Sequence, residues 1–296
     1  MAAPSRYLDP AVLARLGTLD LKARIVVEGV LTGLHRSPRR GFSVEFAEYR
    51  QYQPGDALAT VDWKVFARTD RHVVKKFEED TNLDCHLLLD VSASMQYGSR
   101  GVTKGDYGCM LAASLAYLMH RQRDAVGLIA FDDTIVHRVP ASARTGHLRA
   151  LLLALERLPA GHRTNVAKPL GDLAKVLSKR GLVVVISDLL DDPARVIEGL
   201  RHFRQRGTDV IVFQLLDHQE LQFTFDDVAR FRDTESATEV FADPSAVRGD
   251  YLRAMQGFID TYRRELGGAG IDYHLLDTSQ PLDLALMAYL TTRARS

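Results

Sequence analysis

Cysteine is nearly absent from this chain: Cys85 and Cys109 are the only two in 296 residues. Two thiols build neither a disulfide framework nor a four-thiolate zinc site, and no C-x-x-C pair occurs. A reducing compartment fits, and the expected location is cytoplasmic. Long apolar runs are missing as well. Stretches such as Met110–Met119 and Leu182–Ile186 fall far short of the ~20 residues that cross a bilayer, so no direct membrane span is expected. The opening MAAPSRYLDPAVLARLG lacks the charged start and apolar centre of a secretory leader. Charge of one sign is lacking too, since 38 Lys and Arg meet 38 Asp and Glu. That balance argues against nucleic acid as a partner. The chain has no G-x-x-x-x-G-K-[ST] phosphate loop, no G-x-S-x-G elbow and no H-E-x-x-H zinc motif. Gly267-Gly268-Ala269-Gly270 precedes a strand pattern and reads as a turn, not a dinucleotide loop. The ten histidines form no spaced ligand cluster.

What is present is ordinary globular composition, 46% hydrophobic and 26% charged, in a chain long enough for one or two domains. Residues 1–35 carry Leu13, Leu16, Leu19, Leu21, Ile25, Val26 and Val30 at helical intervals, and a basic linker from His35 to Gly41 follows. Residues 42–80 change texture. FSVEFAEY alternates as a strand does, Gln53-Pro54-Gly55-Asp56 is a turn, and VDWKVFART and HVVKKFEED read as two more short strands. Trp63 is the expected buried anchor of this region. The expected domains are therefore 1–80, helices plus a small β region, and 81–296.

From Asp84 onward, strands and helices alternate. Apolar strands are expected at Cys85–Val91, Ala125–Phe131, Thr134–Val139, Leu182–Ser187, Asp209–Leu216 and Ile271–Leu276. Helices are expected at Lys104–Arg121, Arg144–Leu158, Val166–Lys179, Pro193–Arg206, Ala246–Leu266 and Leu282–Arg293. Near-continuous apolar strands separated by amphipathic helices mean a mostly parallel sheet covered on both faces. With right-handed crossovers the fold class is α/β, a doubly wound Rossmann-like sheet. Such sheets bind ligands beyond the carboxyl ends of their strands, which directs attention to the residues after Leu89, Phe131, Ile186 and Leu216.

After Leu89 come Asp90, Ser92 and Ser94 in a D-x-S-x-S run. After Ile186 come Ser187 and Asp188, with Asp191 and Asp192 close behind. Thr164 opens a helix between them. Asp90, Ser92, Ser94, Thr164 and Asp188 are hard oxygen donors of the kind that Mg²⁺, Mn²⁺ and Ca²⁺ accept. The same residue types also cap helices and hold tight turns. This constellation resembles the von Willebrand factor type A domain, whose metal-ion-dependent adhesion site uses D-x-S-x-S, a later Thr and an Asp. The resemblance spans roughly residues 80–296. Two departures stand out: His162 and Arg163 precede Thr164 where glycines are usual, and Ser187-Asp188-Leu189 replaces T-D-G.

A narrower resemblance lies upstream. Glu45–Asp56 contains Tyr52-Gln53-Pro54-Gly55-Asp56, and Val61–Thr69 contains Asp62-Trp63-Lys64 and Ala67-Arg68-Thr69. This order, just before a D-x-S-x-S strand, is similar to the bacterial and archaeal family called domain of unknown function 58, which has no established catalytic activity. Members are often encoded beside MoxR-type AAA+ ATPases, and many begin with membrane-spanning helices, so this chain looks like a short soluble version. The resemblance implies a non-catalytic adaptor with a divalent metal site, Mg²⁺ foremost. Its implied partners are a MoxR-type AAA+ ATPase and a third client protein. A structural scaffold with an unoccupied or degenerate site is the alternative. A metal-dependent phosphatase with Asp90 as nucleophile is a lesser one, disfavoured because position 92 is Ser where D-x-D is usual.

Overall fold

The computed structural model describes residues 9–35, 49–51, 73–75, 84–159, 161, 165–177, 181–227, 229–232 and 239–293. The expected Gln53–Asp56 turn, the VDWKVFART strand and Trp63 lie outside these residues. The chain divides into two compact units, one made of Met1–Leu31 with Leu83–Ser296 and the other of Thr32–Asn82. The helices before residue 32 thus belong with the C-terminal unit, whereas the sequence groups them with the small β region.

The first unit begins with α1 (Pro10–Ala14) and α2 (Leu19–His35) up to Leu31, the two separated by a break at Arg15–Thr18. Asp9 caps α1 and accepts a hydrogen bond from the Ala11 amide, with Pro10 preset for the first turn. In α2, Leu19, Ala23, Val26, Val27 and Val30 are buried, the i, i+4, i+7 spacing of one helical face. The second unit contributes β1 (Tyr49–Gln51) and β2 (Val73–Lys75), an antiparallel pair in which Arg50 faces Val74.

A six-stranded sheet organises the rest. Its strands are β3 (Asp84–Asp90), β4 (Ala125–Phe131), β5 (Ile135–Ser142), β6 (Gly181–Ser187), β7 (Asp209–Leu216) and β10 (Asp272–Asp277). The spatial order is β10-β7-β6-β3-β4-β5. All neighbours are parallel except β4 and β5, which form an antiparallel edge. The doubly wound, mostly parallel α/β sheet is therefore present, with β5 reversed because the three-residue connection between Phe131 and Ile135 is too short for a crossover. Every residue of β6 is buried, as expected for a strand covered on both faces.

The helices are α3 (Lys104–Arg121), α4 (His147–Glu156), α5 (Ala167–Val176), α6 (Pro193–Gln205), α7 (His218–Gln222), α8 (Pro244–Gly268) and α9 (Asp283–Arg293). One face of the sheet, through Leu88, Val183, Val185 and Val212, packs on Leu170 and Leu173 of α5, Val196 and Leu200 of α6 and Tyr262 of α8. The other face receives α3. Gly108 lets this helix approach so closely that an added Cβ would lie 3.0 Å from Leu89 and 3.4 Å from Ile186 and Leu215. Gly146, at φ 84°, starts α4 three residues later than the sequence implies. Two elements escape sequence reading. One is α7; the other is the exposed ribbon of β8 (Ala229–Arg232) and β9 (Glu239–Ala242), inserted between β7 and α8. Among the described residues, no helix is long and apolar enough to cross a membrane.

Candidate functional site at the strand switch point

Connections from β3 run toward β4, while those from β6 run toward β7. The carboxyl ends of β3 and β6 therefore flank the switch point, where an open α/β sheet leaves a crevice. Parallel pairing sets Leu89 against Ile186. Asp90 then follows beside Ser187, although 97 positions separate them in the chain.

Asp90 is 1% exposed, and each of its carboxylate oxygens accepts a hydrogen bond. Oδ1 accepts the Ser92 amide at 2.9 Å, and Oδ2 accepts the Ser187 hydroxyl at 2.6 Å. Ser187 Oγ in turn accepts the Leu189 amide at 2.9 Å. Burial foremost, and the nearby Asp188 charge second, push the Asp90 carboxyl up to about 7, against the pull of these hydrogen bonds. Ser92 precedes a 3₁₀ turn, Ala93–Gln96, but its side chain makes no cap bond there. Instead Ser92 Oγ and Ser94 Oγ, both buried, share a hydrogen bond at 3.1 Å.

Asp188 is engaged elsewhere. Its Oδ2 accepts from Lys104 Nζ at 2.8 Å, and its Oδ1 accepts the Leu190 amide at 3.2 Å. Lys104 is wholly buried and also donates to Glu220 Oε1 at 2.7 Å. Burial pulls the Lys104 ammonium down, yet the Asp188 and Glu220 charges outweigh it and hold the amine above its usual value. Glu220 itself is shifted up, because burial outweighs the return from an ammonium shared with Asp188. Leu189 adopts φ 57°, a left-handed turn that glycine favours. Tyr262 donates to the Leu189 carbonyl and Gln214 to the Asp188 carbonyl, which fixes this loop from two directions.

The structure thus brings Asp90, Ser92 and Ser94 together, with Asp188 as a neighbour held by Lys104. Thr164 lies outside the described residues. The chain before it passes close to the site: Gly161 donates to the Val91 carbonyl at 2.7 Å, and a Cβ there would sit 2.5 Å from that oxygen. Sequence reasoning missed Ser187, Lys104, Glu220 and Gln214. Ser187 was readable from strand register. Lys104 gave no linear signal, since it follows a helix-capping Thr103 as a solvated lysine would. Among the described residues, no group of three His, Cys, Asp or Glu side chains is placed to hold a metal; the donors gathered here are mainly hydroxyls. A cavity of about 490 Å³ opens beside Asp90, lined also by Thr103, Asp106, Glu156 and Lys22.

An open, doubly wound α/β sheet leaves a crevice at its switch point, and here that crevice is rich in oxygen atoms. The chain belongs to the family described as "Protein of unknown function DUF58", whose model matches residues 48–257. It is 30% identical over 292 residues to Uncharacterized protein Rv1480 of Mycobacterium tuberculosis and, equally, to Uncharacterized protein Mb1516 of Mycobacterium bovis. Each alignment covers 97% of this chain and 91% of the relative. Among solved structures, BatB from Bacteroides thetaiotaomicron is similar at 14% identity and a TM-score of 0.47, over 72% of this chain and 100% of that one.

Proposed function

We propose that the protein is a non-catalytic interaction module whose working surface is the switch-point crevice. There Asp90, Ser92 and Ser94 seat a divalent cation, and a carboxylate from a partner protein completes the coordination. The observation that carries this reading is the 3.1 Å spacing of two buried hydroxyls beside a buried carboxylate. Neighbouring ligands around an octahedral ion with bonds of about 2.1 Å stand about 3 Å apart. Mg²⁺ is the first choice, with Mn²⁺ and Ca²⁺ as the other candidates. When bound, the ion supplies a concentrated positive charge that recognises an anionic group. Ser92 and Ser94 orient toward the seat as neutral donors. Asp90, pinned by Ser187 and the Ser92 amide, balances charge through an intervening water. Thr164 and Asp188 complete the proposed set, with Asp188 standing behind the seat against its counter-ion Lys104.

By resemblance, the proposed partner is a MoxR-type AAA+ ATPase, working in the cytoplasm with this chain as adaptor toward a third, client protein. A scaffold with an empty site is the competing reading, and the Lys104–Asp188 pair favours it, because one carboxylate already has its counter-ion. Calorimetric titration of Mg²⁺ and Mn²⁺ separates the two. Saturable binding that disappears in Ser92→Ala/Ser94→Ala supports the module. A wild-type chain that binds neither ion, with or without acetate standing in for the partner's carboxylate, refutes it.

A further inference from the structure

Lys104 carries a full charge into this crevice, and its side chain is 0% exposed. Lysine is almost never fully buried unless paired, and this one is paired twice, with Asp188 and with Glu220. Its position is built from several sides. Thr103 and Asp106 form a capping box that fixes the first turn of α3. The Lys104 amide donates to the Tyr97 carbonyl, and the Tyr97 ring lies 5.9 Å from Nζ. Glu220 is held in turn: its Oε2 accepts the Asp217 amide, and its carbonyl accepts from Tyr251. Asp217 reaches back to the amide and hydroxyl of Ser99. Loops on both sides of the crevice therefore aim one ammonium at Asp188.

We infer that Lys104 is a positioning residue that sets the charge of the cation seat: it holds Asp188 out of direct ligation and leaves Asp90 as the seat's own carboxylate. This rests on the seat proposed above and deepens it. Asp188 is near enough for its charge to act on Asp90. With both carboxylates free, the seat would neutralise a divalent ion unaided. With Asp188 cancelled by Lys104, a bound divalent ion keeps a net positive charge and draws one more anion. The lysine thereby makes firm cation binding conditional on a partner's carboxylate, and couples the two affinities reciprocally.

The test is Mn²⁺ and Mg²⁺ titration of the full chain, by calorimetry and by the metal-induced change in Tm. Lys104→Met keeps the length and removes the charge. It is expected to bind Mn²⁺ at least about tenfold more tightly without acetate, the effect of one unit charge on a nearby divalent ion even when screened as in water. Its Tm without metal falls and recovers with Mn²⁺. Glu220→Gln keeps the capping acceptor, which Gln supplies equally, and leaves Lys104 to Asp188 alone. It is expected to bind Mn²⁺ several-fold more weakly, and it decides the matter if Lys104→Met does not fold. A merely structural lysine would lower Tm at every metal concentration and leave Kd unchanged. Unchanged or weaker binding in Lys104→Met, or tighter binding in Glu220→Gln, overturns the role of Lys104. Those outcomes leave the seat standing if Ser92→Ala/Ser94→Ala still abolishes binding. If that double variant binds as wild type does, the seat itself is wrong and the proposal falls with it.

Discussion

Asp90→Asn tests the electrostatics of the crevice directly. The wild-type carboxylate is buried, and its proton affinity moves from the ordinary 3.8 to about 7 in the folded chain. At about 1.4 kcal/mol per decade of proton affinity, ionised Asp90 opposes folding by about 4 kcal/mol. A carboxyl that holds its proton more tightly when folded makes stability fall as pH rises. The penalty is absent below pH 4, grows through the interval up to about 7, and is complete above it. Asn keeps the Oδ1 acceptor for the Ser92 amide, and Ser187 can rotate to accept from the new amide. Urea unfolding with chelator present, followed by far-UV circular dichroism, should therefore show Asp90→Asn more stable than wild type at pH 8 by as much as about 4 kcal/mol. At pH 3.5, below both values, the two should nearly coincide. An Asn variant less stable at pH 8, or a difference that does not change with pH, would refute the reasoning. Under saturating Mg²⁺ the order should reverse, because only the charged carboxylate gains from the ion.

Gly161→Ala places a Cβ 2.5 Å from the Val91 carbonyl oxygen, so a loss of about 1–3 kcal/mol is expected, together with weaker Mg²⁺ binding. Gly171→Ala is its control: the site is open and lies within α5, so urea midpoints should rise by the equivalent of about 0.5–1 kcal/mol. Equal effects from the two would show that the Gly161–Val91 approach is unimportant. Tyr107 Oη is buried with no hydrogen-bond partner among the described residues. Tyr107→Phe should then be neutral or stabilising by about 1 kcal/mol, and a loss above that in thermal melts would reveal a partner.

The sheet was legible because apolar runs such as Leu182–Ile186 have no stable place except between two helical layers. D-x-S-x-S was legible because its three oxygen-bearing side chains lie within five residues of chain. The ribbon of β8 and β9 was not, since Val240 and Phe241 stand 56% and 73% exposed and a strand outside the main sheet needs no apolar signature. Nor was the reversal of β5, which depends on how a short turn meets the sheet edge. Linear sequence thus determined the layers and the strand ends, and it put Asp90, Ser92 and Ser94 on one loop. Tertiary structure alone decided which charges meet. Asp90 is fastened by a serine 97 positions away, and Lys104 is buried only because carboxylates 84 and 116 positions distant close on it. A lysine's local pattern is the same in water as in a crevice. What makes it a counter-ion is the company that the fold assembles around it.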